Sequence, residues 1–319
     1  MMDCYHYEIR ESFNLFIYCF KFILLIITFC GIIFSLFLKE VEVISKNSHF
    51  VFTFWEPNNS VPGYLSLCMK TWKKYIPSEY KIVILDYSNL RDYLDIKIIN
   101  LILCKDMTFA MQSDAIRIAI LNKYGGFWMD IDTIILNSKF INMFYGSDFI
   151  MFRQLKPYNK HYSGFIYASS NSTILKAYFK AIIYKVRVYK HRLLLYSFFH
   201  NKYFAKLYEE SRHWSYLTSS IIEDLAKNTS DKEFKNIEID YTYVMPDLTI
   251  LEGPPKERYN DFYFSSVNNM PIIKKSKGVL LLHNSWTPEK YKTMSEDQFL
   301  RQNIFLAHLI SNALLGSIT

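Results

Sequence analysis

Residues Ser113–Leu136 read SDAIRIAILNKYGGFWMDIDTIIL. Their first half belongs to an apolar segment, Phe109–Tyr124, with the spacing of a helix. Gly125-Gly126 then stops that helix as glycines at a C-terminus do. Phe127–Leu136 changes to the aromatic and β-branched composition of a strand. Two carboxylates, Asp130 and Asp132, lie two positions apart in it. In extended chain, i and i+2 point to the same face, so the pair is expected to converge. Carboxylates so close repel unless something positive lies between them. A hard divalent cation such as Mn²⁺ or Mg²⁺ fits, because it takes oxygen ligands and keeps sites open for phosphate. On the helix, Asp114 and Arg117 are i and i+3 and share a face. Their neighbours Ala115, Ile116, Ile118, Ala119 and Ile120 are apolar, which predicts a buried helix. A charged pair kept inside must have polar work to do, and a carboxylate beside a guanidinium can hold a polyhydroxylated ring.

Outward from that stretch the same order repeats. His49–Trp55 (HFVFTFW) reads as a strand, Tyr64–Ile76 as an amphipathic helix with Trp72 in the core, and Tyr80–Asp86 (YKIVILD) as a second strand. Strand, helix, strand, helix, strand predicts an α/β sandwich on a largely parallel sheet. Towards the C-terminus, Gly278–Leu282 is an apolar strand ending at His283-Asn284-Ser285-Trp286. Ser295 and Gln298 have capping-box spacing ahead of a packed helix over Phe299–Leu315. Between Asn171 and Tyr208 a helical stretch contains no acidic residue. It carries Lys176, Lys180, Lys185, Arg187, Lys190, Arg192, Lys202 and Lys206. That pattern suits either a solvated face or a surface leaning on anionic lipid or a lipid-linked acceptor.

The chain has 319 residues, is 50% hydrophobic and 18% aromatic, and holds only 9 Gly and 9 Pro, which excludes collagen-like and disordered classes. The formal net charge of +7 is too small to point to nucleic acid, and no basic-aromatic RNA-binding motif occurs. Five cysteines without CxxC or zinc spacing argue against a disulfide framework and favour a reducing compartment. Near the N-terminus, Phe22–Leu38 (FILLIITFCGIIFSLFL) is 17 residues without a charge, roughly 26 Å as a helix. Extended back to Leu15, with Lys21 snorkelling, it predicts a single transmembrane anchor rather than a cleaved signal. The expected division is therefore a tail and anchor over 1–46 and a catalytic domain over 47–319. Arg10 and Lys21 before the run and Lys39 and Lys46 after it set no orientation.

The SDxxR…GGxxxDxD pattern resembles the D-x-D sugar-binding region of retaining glycosyltransferases of family 32, and is most similar to the capsular polysaccharide synthesis branch. The segment FTFWEPNNSVPGYLSLCMKTWKKYIPSEYKIVILDYSNL resembles that branch's opening, and His283–Trp286 its late H-x-S-W element. The resemblance implies a GT-A-type Rossmann-like fold with a mixed, mostly parallel sheet. It also implies a nucleotide-sugar donor, UDP-linked by expectation, and a glycan or lipid-linked acceptor. By the same resemblance, Trp55 would stack on the donor base, and Asp114 and Arg117 would bind the sugar hydroxyls. Asp130 would face ribose and metal, Asp132 would ligate the metal, and His283 would be a third ligand or a diphosphate contact. Ser285 and Trp286 would hold the diphosphate. A catalytic domain of this kind would face the cytoplasm in a bacterium and the Golgi lumen in a eukaryote.

FWMDIDTII also comes near hhhDxDxT, the first motif of haloacid-dehalogenase-type phosphohydrolases, which would make Asp130 a covalent nucleophile. Thr133 arrives one position early, no later acidic pair completes the motif set, and about 80 residues precede it where that motif normally opens the domain.

Overall fold

Alternating aromatic and β-branched residues make Phe50–Phe54 (β1) a strand buried from Val51 onward. Helix α1 (Gly63–Tyr75) follows and buries Tyr64, Leu65, Cys68 and Trp72. Lys81–Leu85 (β2) then returns alongside β1. Helix α2 (Phe109–Tyr124) starts at Thr108, whose hydroxyl accepts from the Met111 N–H. It is buried almost all round, as its apolar run predicts. Gly125, at φ 65°, ends it, and a Cβ there would stand 2.7 Å from the backbone nitrogen of Ser170. The chain passes straight into β3 (Gly126–Met129) and, after a turn, β4 (Thr133–Ile135).

The computed structural model describes residues 49–57, 60–144, 148–154, 160–213, 216–228, 238–240, 254–273 and 278–317. All lie in one unit, Ser45–Thr319. The anchor expected over residues 15–38 lies outside the described residues. Among the described residues, no helix is long and apolar enough to cross a membrane.

Strands β5 (Phe149–Gln154) and β6 (Lys160–Ala168) form an antiparallel pair. Helices α3 (Thr173–Phe199) and α4 (Lys202–Ser211) follow, and then a further helix over Ser219–Asn228. Strand β7 (Glu238–Asp240) comes next, then α5 (Pro255–Tyr263), β8 (Val279–Leu281) and α6 (Phe305–Leu315). The main sheet has the order β2-β1-β3-β6-β5-β7. Its β1–β2, β1–β3 and β5–β7 pairings are parallel, and β3–β6 and β5–β6 antiparallel. This is a mixed, mostly parallel α/β sheet, as expected.

A second, two-stranded sheet pairs β4 with β8 antiparallel. It corrects the single strand expected over Phe127–Leu136. The chain breaks at Asp130–Asp132, where the Thr133 N–H reaches back to the Asp130 carbonyl at 3.0 Å. β3 then pairs with the main sheet and β4 with a strand about 145 residues downstream. The long helices also divide. The basic stretch splits at His200, in left-handed conformation at φ 46°, and the C-terminal helix splits into Glu296–Leu300 and α6. The capping box of Ser295 and Gln298 forms as its spacing predicts.

Candidate active site

β1 and β3 run parallel and end at the same edge, where ligands of open α/β sheets bind. Trp55 follows β1 and Asp130 follows β3. Arg117 spans from α2 to this edge. Its Nη2 lies 3.2 Å from Asp114 Oδ1 and 3.1 Å from Asp130 Oδ1, so one nitrogen serves both carboxylates. Its Nη1 donates to the Ser163 carbonyl. The guanidinium carbon lies 5.2 Å from the Trp128 ring centre. The Trp128 indole N–H donates to the same Asp130 oxygen at 2.9 Å. Asp114 and Arg117 are 6% and 5% exposed, against the polar norm for such residues.

Gly164 of β6 closes over Asp130. Its carbonyl accepts from the Asp130 N–H at 2.7 Å. A Cβ at 164 would stand 2.7 Å from Asp130 Oδ2 and 2.3 Å from the Tyr162 ring. No side chain fits there without moving the carboxylate.

Asp132 is held from the other side. Its carbonyl accepts from Leu282 N–H, and its Oδ2 from Asn284 N–H at 2.7 Å. The β4–β8 pairing therefore delivers His283–Trp286 to the carboxylate turn. The Tyr64 hydroxyl donates to Asn284 Oδ1, and Tyr259 accepts from the His283 N–H at 3.1 Å. The indole of Trp72, fully buried as expected, donates to the Thr133 carbonyl at 2.6 Å. The Thr71 hydroxyl accepts from Ile135 N–H, so α1 braces the far side of the turn.

Electrostatically the site is overloaded with carboxyl groups. Burial first, and then the charge of Asp130, push the Asp132 carboxyl well above its ordinary range. Burial raises Asp114 to about 7, with Arg117 opposing and Asp130 adding to the rise. Burial lowers His283 to about 4, with Asp130 opposing, so its imidazole is neutral at pH 7.

The expected residues converge unevenly. Asp114, Arg117 and Asp130 form one connected group, and Asp132 reaches the His283–Trp286 turn through Asn284. Among the described residues, no group of three His, Cys, Asp or Glu side chains could hold a metal ion, so the set Asp130, Asp132 and His283 is not assembled as a metal cage. The His283 ring instead packs on Trp286, with centroids 4.1 Å apart, and against Tyr162 and Tyr259. Ser285 is exposed on the turn. Trp55 is half-buried beside the cluster of Tyr64, Leu65 and Cys68, and its indole N–H is buried with no acceptor. Sequence reasoning missed Gly164, Trp128, Tyr64, Tyr259 and Asn284. Trp128, two before Asp130, and Asn284, inside the late element, carried a usable signal; Gly164, Tyr64 and Tyr259 carried none.

The profile of the capsular polysaccharide synthesis protein family matches residues 29–245, more than half of the chain. The chain belongs to this family of capsular polysaccharide synthesis proteins. No curated protein matches it. Among solved structures it is similar to the PaToxG glycosyltransferase, at 15% identity and a TM-score of 0.33, over 60% of this chain and 83% of that one. A likeness of that size bears on neither activity nor substrate.

Proposed function

We propose that this chain is a GT-A-type transferase that moves a sugar, with retention, from a UDP-sugar to a glycan or lipid-linked acceptor, and that it needs Mn²⁺ or Mg²⁺. The observation that carries the reading is the pair of carboxyl groups, Asp130 and Asp132, flanking one turn at the sheet edge beside the buried Asp114–Arg117 pair. Two hard oxygen donors with little positive charge on the Asp132 side suit a divalent cation whose other positions go to diphosphate and water. Bound there, such an ion would neutralise the charge that develops on the leaving diphosphate.

The chain's own groups do the rest. Asp114 and Arg117 bind the donor sugar's hydroxyls, with Asp114 poised near neutrality to accept or donate. Asp130, fixed by Arg117, Trp128 and the missing side chain at 164, presents Oδ2 to ribose and cation. Trp55, half-buried at the end of β1, offers its ring to the base. Neutral His283, with Trp286, walls the diphosphate side without adding charge. Residues 15–38 would tether the domain to the membrane.

Titration of UDP with and without Mn²⁺ tests the proposal. Binding that requires metal is expected. Metal-independent binding, or a beryllium fluoride adduct on Asp130 as a phosphohydrolase would give, overturns it.

A further inference from the structure

Buried positions on α3 end at Tyr189. The remaining ten residues to Phe199 project beyond the core by roughly 15 Å, turn at His200, and return as α4. The hairpin holds itself together by its inner seam. The Tyr196 and Tyr208 rings stack 5.4 Å apart, Phe199 meets Phe204 at 5.3 Å, and Arg192 donates to the Leu207 carbonyl.

Its outer side is different. Lys180, Tyr184, Arg187, His191, Leu194 and Phe198 recur at alternating intervals of four and three, so they form one stripe along α3. The lower part of that stripe is basic and the end is apolar. At the tip, Leu194, Phe198, Phe199 and Tyr203 are 52%, 72%, 60% and 65% exposed. Four large apolar side chains together in water are unusual for a solvated surface. From Asn171 to Tyr208 there is no acidic residue. The first acids, Glu209 and Glu210, sit on α4 about 12 Å below the tip by helical rise.

We propose that the α3–α4 tip is a membrane-docking element: Leu194, Phe198, Phe199 and Tyr203 enter the interfacial region of an anionic bilayer while Lys202, Lys206 and the basic stripe meet its headgroups. An apolar, partly aromatic tip and a basic stripe along α3, with the nearest acids Glu209 and Glu210 set back from the tip, are features that suit interfacial binding. This contact is independent of any anchor at 15–38 and of the transfer chemistry.

The test uses the full chain with Phe198→Trp, reconstituted with vesicles of phosphatidylcholine, alone or with phosphatidylglycerol, each carrying brominated acyl chains. The added tryptophan, read as the difference from the parent protein, should be quenched in the anionic vesicles and not in the neutral ones. Lys202→Glu with Lys206→Glu should lower that quenching at least about fivefold, since each lysine near such a surface contributes about that factor. Equal quenching in both vesicle types, or none, overturns the proposal. So does a change of oligomeric state on Phe198→Ser/Phe199→Ser, which would show that a second copy of the chain covers the tip.

Discussion

The carboxylate turn and the α3–α4 hairpin break the burial rule in opposite directions. At the turn, Asp114, Arg117 and Asp132 are almost wholly inside. At the hairpin, Phe198 and Tyr203 are mostly outside. Burying charge and exposing apolar surface both cost free energy unless an absent partner takes up the mismatch. On the two proposals made above, the partners would differ: a cation with its diphosphate at one region and a lipid surface at the other. They also differ in how they are held. The turn is over-determined by Gly164, Trp72, Asn284 and Arg117, whereas the hairpin rests on its own seam of rings.

The largest expected difference between them is in stability. Arg117→Ala leaves Asp114 buried, and Asp130 partly so, without the guanidinium they share, which should cost about 3–5 kcal/mol in urea unfolding. A loss below about 1 kcal/mol would mean that the pair is solvated and the contrast false. Next comes Asp132→Asn. If a cation there supplies several kcal/mol, transfer should fall at least roughly a hundredfold at 1.36 kcal/mol per tenfold, with partial recovery at high Mn²⁺.

The same substitution sharpens the electrostatic side. A carboxyl whose folded pKa is raised binds its proton more tightly when folded, so stability declines as pH climbs from the ordinary carboxylate value through the folded one. Without metal, Asp132→Asn should therefore melt about 5 °C or more above the parent at pH 8, and close to it at pH 4. A parent that melts higher at pH 8 would remove the like-charge strain.

Smaller effects separate the two tryptophans. Trp55→Ala should weaken nucleotide binding by about 1–3 kcal/mol, the scale of base stacking on an aromatic ring. Trp72→Ala should instead destabilise the fold, because its ring is fully buried against the turn. Equal losses in a nucleotide titration corrected for folding would cancel the stacking role. The smallest effect belongs to the hairpin, where Phe198→Ser should change stability by no more than about 0.5 kcal/mol. A loss of several kcal/mol would place Phe198 in a core that the exposed surface does not show.

Much of the site was legible in the sequence because its determinants are local. Asp114 and Arg117 share a face by helical period, Gly125 ends the helix on the spot, and the bare spacing of Asp130 and Asp132 already announced two carboxyl groups together. The order of strands and helices likewise follows from periods of two and 3.6 within a dozen residues. The tertiary structure decided what depends on distant partners. A chain read alone continues Phe127–Leu136 as one strand; it breaks because β3 finds β6 and β4 finds β8, so the carboxylates converge through a turn rather than a pleat. The same pairing carries Asn284 to Asp132 and leaves His283 against Trp286 instead of in a cage of ligands. Gly164 matters only because β6 crosses Asp130, and the apolar tip of α3 stands outside only because the core ends at Tyr189. Hydrophobic period states which face of an element is apolar, and only packing states whether anything is there to cover it.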